Sequence, residues 1–330
     1  MIRHTFGSTE PGSLGIEEEI VLVDGKTAEA VSGFSRVVEV PSAQLKPELF
    51  ECLVEIATPV VPDAAAGLVE LRRLRAELTA RAEPHGITLH AAGAHALARG
   101  ENQPLVPLER YRRLAETIGA PIYRQLVCGL HVHVAVADPD TCLRAFEGVV
   151  PWLPTLLALS ANSPFVDGAN TGRRSERAER LLEMPTGGVP PVLRSWDDWE
   201  EATQGDDTRR HWDVWPRPEY GTLEVRVLDM QTDVHRSAGF AELVGALVAA
   251  VQESGHQPYD RALYARRREE ATRRPPDSAE VEALGALVDV RPLAELVLDG
   301  RPEAERQLEV AAAEGIEAVP ADVVRRTLGF

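Results

Sequence analysis

Cysteine is scarce in this chain, which has only Cys52, Cys128 and Cys142 and no CxxC spacing. An odd and scattered set excludes a disulfide framework. It suits buried thiols in a reducing compartment, so a cytoplasmic location is expected. No positively charged start followed by an apolar run is present, and no signal peptide is read there. The longest apolar run, Leu243 to Val251, is too short to span a bilayer. Positive charge is in deficit as well: 35 Lys and Arg stand against 52 Asp and Glu, for a net charge of −17. That balance argues against nucleic acid or an anionic membrane as a partner. The arginine clusters at Arg72, Arg73, Arg75 and at Arg266, Arg267, Arg268 sit beside Glu and Leu at helical spacing and read as solvated helix faces. Neither GxxxxGK[ST] nor a strand-linked GxGxxG occurs, so metals and arginines would have to hold the phosphates of any bound nucleotide.

The bulk composition is that of a soluble globular protein, with 330 residues, 44% hydrophobic and 26% charged. The length admits about two domains. No repeat, linker or boundary divides the chain, so one domain over residues 1–330 is expected.

Four stretches read as β-strands: Leu14 to Val23, Leu49 to Ala57, Cys128 to Val136 and Thr222 to Asp229. Alternation puts residues two apart on one face. It groups Glu17 with Glu19, Glu51 with Glu55, His131 with His133, and Glu224 with Arg226. The opposite faces carry Leu130, Val132, Val134 and Val136, and Leu223, Val225 and Val227. One face is apolar, and the other concentrates the hard donors that hold Mg²⁺ or Mn²⁺. Plainer readings compete. Glu17 to Glu19 could charge an edge strand, a histidine on a strand could be a hydrogen-bonded core residue, and Glu224 with Arg226 could be a cross-strand ion pair. Against the first, Ile16, Ile20 and Leu22 flank Glu18 while Val21 and Val23 follow Glu19. The strand therefore reads as buried on both faces, where carboxylates need partners or metal. Glu18 points away from the polar face, Glu51 reads as exposed, and His131 is favoured over His133.

Between the strands, Asp63 can cap a helix to about Ala82 with Leu68, Leu71, Leu74 and Leu78 as its buried stripe. Gly86 to Leu97 reads as a strand. Leu108 to Val127 is helical in two pieces, and Asp138 to Ala161 is helical with kinks at Pro151 and Pro154. Short helices follow at Ser175 to Leu182 and, capped by Ser195, to Ala202. His235 to Glu253 is an apolar helix, and short helices follow Asp277. The order predicts an α+β fold with a largely antiparallel sheet. The loops Ser160 to Pro164 and Gly168 to Arg177 are rich in hydroxyl, amide and Arg donors; such loops grip polar ligands or are ordinary turns.

Six segments together carry a family resemblance: GIEEEIVLVD (15–24), KPELFECLVEIATPV (46–60), AGAHALAR (92–99), GLHVHVAVAD (129–138), LLALSANSPFVDGANTGRRSER (156–177) and HWDVWPRPEYGTLEVRVLDMQTDV (211–234). In them the chain resembles the glutamate–cysteine ligase type 2 family of bacterial carboxylate–amine ligases. The resemblance implies an antiparallel sheet curled into a funnel, flanked by helices, similar to the catalytic half of glutamine synthetases. It implies ATP with Mg²⁺ or Mn²⁺, and small-molecule partners: a glutamate-like acid and an amine. The family's metal ligands fall on Glu17, Glu19, Glu55, His131 and Glu224, and its phosphate- or substrate-contacting arginine on Arg226. Arg226 and Arg177 are the expected catalytic cations, and Arg226, Ser160 and Asn162 the expected cofactor contacts. Three features depart from the family pattern: Glu176 where an aromatic is usual, Val166 where Trp is usual, and a shorter stretch between Trp199 and Trp212. These put the usual substrates in question. A metal-dependent amide hydrolase and a non-catalytic nucleotide- or amino-acid-binding protein remain alternatives, and a homodimer is left open.

Overall fold

A computed structural model of the protein describes residues 4–204, 210–252 and 259–329. Its centre is a seven-stranded sheet. The strands are β1 (Leu14–Asp24), β2 (Leu45–Pro47), β3 (Leu53–Ala57), β4 (Ile87–His90), β5 (Gly129–Ala135), β6 (Val214–Arg217) and β7 (Thr222–Asp229). They lie in the order β6-β7-β5-β1-β3-β2, with β4 also on β1, and every pairing is antiparallel. The fold is α+β with an open antiparallel sheet, as the sequence predicts.

The apolar face of the sheet is covered by helices Ala64–Ala82, Pro139–Val149 and Val234–Val251. Asp63 caps the first of these, accepting from Ala66 N at 2.8 Å. Pro151 and Pro154 divide the region after Asp138 into helices Pro139–Val149 and Leu153–Ser160 joined by a 3-10 turn. The apolar helix expected to reach Glu253 runs Val234–Val251, and Glu253 lies outside the described residues. Pro139–Ser160 and Val234–Val251 are long and apolar enough to cross a membrane, but most of each is buried inside the protein, as core helices are.

Two strand expectations change. Leu49 to Ala57 is not one strand: Leu53 N donates to Phe50 O across a turn, and only Leu53–Ala57 joins the sheet. Glu51 therefore leaves the face of Glu55 and instead accepts from the Ser35 hydroxyl at 2.8 Å. Gly86 to Leu97 is a strand only to His90. Beyond it, His95 Nδ1 accepts from Leu97 N and Ala98 N, taking backbone donors that a ladder would use.

Strand β7 carries a bulge. Val225 pairs with Val132 but Leu228 pairs with Leu130, so Arg226 and Val227 have no partner in β5. The extra residue reverses the alternation. Leu228 turns to the apolar side and Asp229, opposite Gly129, joins the polar one. Strict alternation without the bulge would put Asp229 on the side of Val225.

Glu18 is the buried charge on the apolar side. Both it and Arg75, which helical spacing reads as solvated, are fully buried and form a fork: Nε to Oε2 at 2.8 Å and Nη2 to Oε1 at 2.7 Å. Arg75 also donates to Thr232 O and Gln231 O, at 2.8 and 2.9 Å, tying the Ala64–Ala82 helix to the chain after β7. Leaving one partner of such a pair uncompensated costs about 3–5 kcal/mol. Glu18→Gln is expected to lower the unfolding free energy by that order in urea denaturation. A loss within experimental error would show that the pair does not hold the helix to the sheet.

Candidate active site

The register of the sheet assembles the polar face. Glu17 stands opposite His131 in β5, Glu19 opposite Glu55 in β3, and Glu224 opposite His133. These residues come together at a cavity of about 450 Å³ whose lining includes Glu17, Glu19, Glu55, His131, Arg177 and Arg226. Glu224 does not line the cavity: it is fully buried behind the lining residues Arg226, in direct contact, and Arg217, at 2.7 Å.

The carboxylates fall into two groups, each with donor atoms within 4.8 Å of one another: Glu17, His133 and Glu224, and Glu19, Glu48 and Glu55. At that spacing each like-charge contact costs about 3–4 kcal/mol at an effective dielectric near 20. Lys46 answers part of this, with Nζ 2.9 Å from Glu17 and 2.6 Å from Glu55. Burial would raise Glu17, but the imidazoles of His131 and His133 and the charge of Lys46 hold it well below the usual carboxylate range. The reverse holds for Glu48, which burial and the charges of Glu19 and Glu55 push well above that range. Burial and the charge of Glu17 also raise Glu55, against Lys46. His133 is raised, because Glu224 and Glu17 outweigh its burial.

The donor set fits divalent metal. Four carboxylates and two imidazoles line one space with the buried Glu224 beside them, and the buried Nδ1 of His131 has no hydrogen-bond partner among the described residues, standing 3.5 Å from Glu17 Oε2 and 3.9 Å from Glu224 Oε1. Glu17, His133 and Glu224 could hold one ion with His131 beside them, and Glu19, Glu48 and Glu55 another.

Arg177 is a buried cation without an ion-pair partner among the described residues. Its Nη2 donates to Arg226 O at 3.0 Å and its Nη1 to Val227 O at 3.4 Å, the carbonyls of the two bulged residues. It lies against Gly129, where a Cβ would stand 2.3 Å from Nη2. Only glycine lets the guanidinium lie there.

Not every expected site residue reaches the cavity. Ser160 and Asn162 are fully buried, do not line it, and have their polar groups satisfied by the protein. Ser160 Oγ donates to Leu157 O at 3.1 Å. Asn162 Nδ2 donates to Met230 O at 2.8 Å, and its Oδ1 accepts from Gln307 at 2.7 Å. Glu176 faces Arg173 and Arg180, at 3.8 and 3.9 Å, rather than the cavity. Val166 packs against Val127 and Ala94, behind the lining. The stretch between Trp199 and Trp212 includes residues 205–209, outside the described residues.

Four further residues belong to the site or its support: Lys46, Glu48, Arg217 and Asp229. Lys46 could have been found from the hairpin that sets it opposite Glu55. Glu48 follows the end of β2, outside any strand, where alternation gives no signal.

Comparison with known proteins agrees with this geometry. The profile of glutamate–cysteine ligase family 2 matches residues 13–326. A Rubrobacter xylanophilus protein provisionally named glutamate–cysteine ligase 2-3 is 36% identical over 281 residues, covering 81% of this chain and 77% of its own. A similarly named Roseiflexus castenholzii protein is 31% identical over 329 residues, covering 91% and 87%. Among solved structures, the fold is similar to a glutamate–cysteine ligase from Francisella tularensis in complex with AMP, with a TM-score of 0.68, 14% identity, and coverage of 97% of this chain and 89% of that one. It is also similar to a bifunctional glutathione synthetase from Pasteurella multocida, with a TM-score of 0.72, 16% identity, and coverage of 96% and 51%. The chain belongs to glutamate–cysteine ligase family 2, a family of ATP-dependent carbon–nitrogen ligases.

Proposed function

We propose that the protein joins the side-chain carboxylate of glutamate, or of a related amino acid, to an amine through an acyl phosphate, with release of ADP and phosphate. One observation carries this reading. A cavity with two carboxylate clusters fit for divalent metal is also lined by arginines, Arg177 and Arg226 among them. That combination suits a triphosphate and an acid brought together.

A carboxylate oxygen of the acid attacks the γ-phosphorus and ADP leaves. The amine then attacks the acyl carbon and phosphate leaves. Glu17, Glu19, Glu48, Glu55, His131, His133 and Glu224 are the groups that would hold Mg²⁺ or Mn²⁺, which when bound neutralises phosphate charge. Arg226 is kept charged and oriented by its contact with Glu224. Its planar fork suits a phosphoryl group or a carboxylate. Arg177 presents unpaired N–H donors to the same space. The wall of Leu114, Ile122, Val127, Leu181 and Met184 keeps water from one side of the cavity.

The test is ADP release with ATP, Mg²⁺, glutamate and a panel of amines and amino acids. Release that needs both acid and amine is expected, and exhaustive chelation should abolish it. Amide hydrolysis without ATP would instead favour a hydrolase. Arg226→Lys should lower turnover on the order of 10³-fold while the KM for ATP moves far less. Normal turnover with a raised KM for the acid would make Arg226 a ground-state anchor. Glu17→Gln should weaken Mn²⁺ binding in calorimetry by about 10-fold or more, and Glu18→Gln should leave it nearly unchanged. Equal losses would contradict the assignment of Glu17 and Glu18 to opposite faces.

A further inference from the structure

We propose that Asp229 is a positioning residue that holds Arg177 with its donors free, and that Gly93 keeps the space Asp229 needs. The inference rests on the reading of Arg177 as a cation for the phosphoryl group or the acid.

Asp229 and Arg177 are both buried, and neither forms an ion pair among the described residues. A buried charge without a partner is costly, so the separation calls for an explanation. Asp229 is held by donors instead. Its Oδ2 accepts from Asn162 N at 2.8 Å and from Ser163 Oγ at 2.7 Å, and its Oδ1 accepts from Ser175 Oγ at 2.8 Å. Both hydroxyls pass this constraint to the segment carrying Arg177. Ser163 Oγ accepts from Arg177 N at 3.1 Å. Ser175 Oγ accepts from Ala178 N at 3.3 Å, capping the helix Glu176–Leu181. Two hydrogen-bonded arms thus run from one carboxylate to either side of Arg177.

The arrangement supplies countercharge without consuming donors. A guanidinium has five N–H donors, and the protein engages Nη1 and Nη2 once each. A direct carboxylate fork would take two more. Asp229 acts through hydroxyls and across space, which leaves the remaining donors to an anion in the cavity.

Gly93 makes room for this. A Cβ there would stand 2.7 Å from Asp229 Cγ and Oδ2. The Gly93 backbone cannot retreat freely, since its N donates to Asn162 O at 3.0 Å and its O accepts from Cys128 N at 2.9 Å. Gly93→Ala therefore displaces the Asp229 side chain while leaving its charge intact.

The experiment is a cycle of Asp229→Asn, Gly93→Ala, Arg177→Ala and the doubles with Arg177→Ala, read as kcat and KM for ADP release. Asp229→Asn and Gly93→Ala are each expected to lower kcat on the order of 10²-fold, with the KM for ATP nearly unchanged. In the Arg177→Ala background they should add almost nothing, because residues acting through one group are not additive. Full additivity would overturn the proposal. A readout without turnover is the Arg177 Nε–H resonance, identified by its absence from Arg177→Lys. It should be lost or shifted in both single variants, and an unchanged resonance in both would overturn the clamp. If Asp229→Asn does not fold, Ser175→Ala removes one arm and is judged by the same readouts. Wild-type protein without acid- and amine-dependent ADP release would overturn the ligase reading alone, with the clamp then decided by the resonance.

Discussion

The structure is organised around mutual repulsion among carboxylates. Four of them, Glu17, Glu19, Glu48 and Glu55, line one cavity, and the buried Glu224 lies against the same histidines and arginines. Left to themselves they would oppose folding, because each close like-charge contact in a half-dry site costs several kcal/mol. The protein offsets this with fixed cations. Lys46 bridges Glu17 and Glu55, Arg217 and Arg226 bracket Glu224, and the two histidines lie between. The compensation is incomplete: Glu48 and Glu55 are pushed towards protonation, and among the described residues Glu19 meets the Gly129 N–H, at 2.5 Å, and the ring of His131, at 3.9 Å, but no Lys or Arg. A face with negative charge left over is one that divalent cations and their phosphates complete.

The sheet makes that concentration possible because its two faces are chemically separate. Glu18, one residue from two cavity carboxylates, goes the other way and finds Arg75. The bulge in β7 is the one break in this order, and it does two things. It brings Asp229 to the polar side, and it leaves the carbonyls of Arg226 and Val227 for Arg177. Arg177, in the first turn of the helix Glu176–Leu181, is thus seated by the irregularity of the strand beside it.

Much of this was legible in the sequence because a period of two is a strong signal when both faces are extreme. Glu17, Glu19, Glu55, His131, Glu224 and Arg226 were all found by it or by the family motifs; the structure brings all but Glu224 to the lining of one cavity and buries Glu224 against Arg226. What alternation cannot see is register shift and turns. Asp229 gives no signal of its place on the polar side because a bulge leaves no mark in composition, and Glu51 leaves the face of Glu55 because a turn interrupts what reads as one strand. Ser160 and Asn162 have the composition of a ligand loop, but their donors and acceptors serve the protein's own backbone and side chains. Loop chemistry alone does not distinguish those two uses.

The most direct test of the account is anomalous diffraction from crystals grown with Mn²⁺ and a non-hydrolysable ATP analogue. The account predicts manganese peaks within the cavity, between Glu17, His131, His133 and Glu224 and between Glu19, Glu48 and Glu55, with the γ-phosphate facing Arg177 and Arg226. A cavity free of manganese, with Lys46 still bridging Glu17 and Glu55 and the nucleotide bound elsewhere, would contradict it.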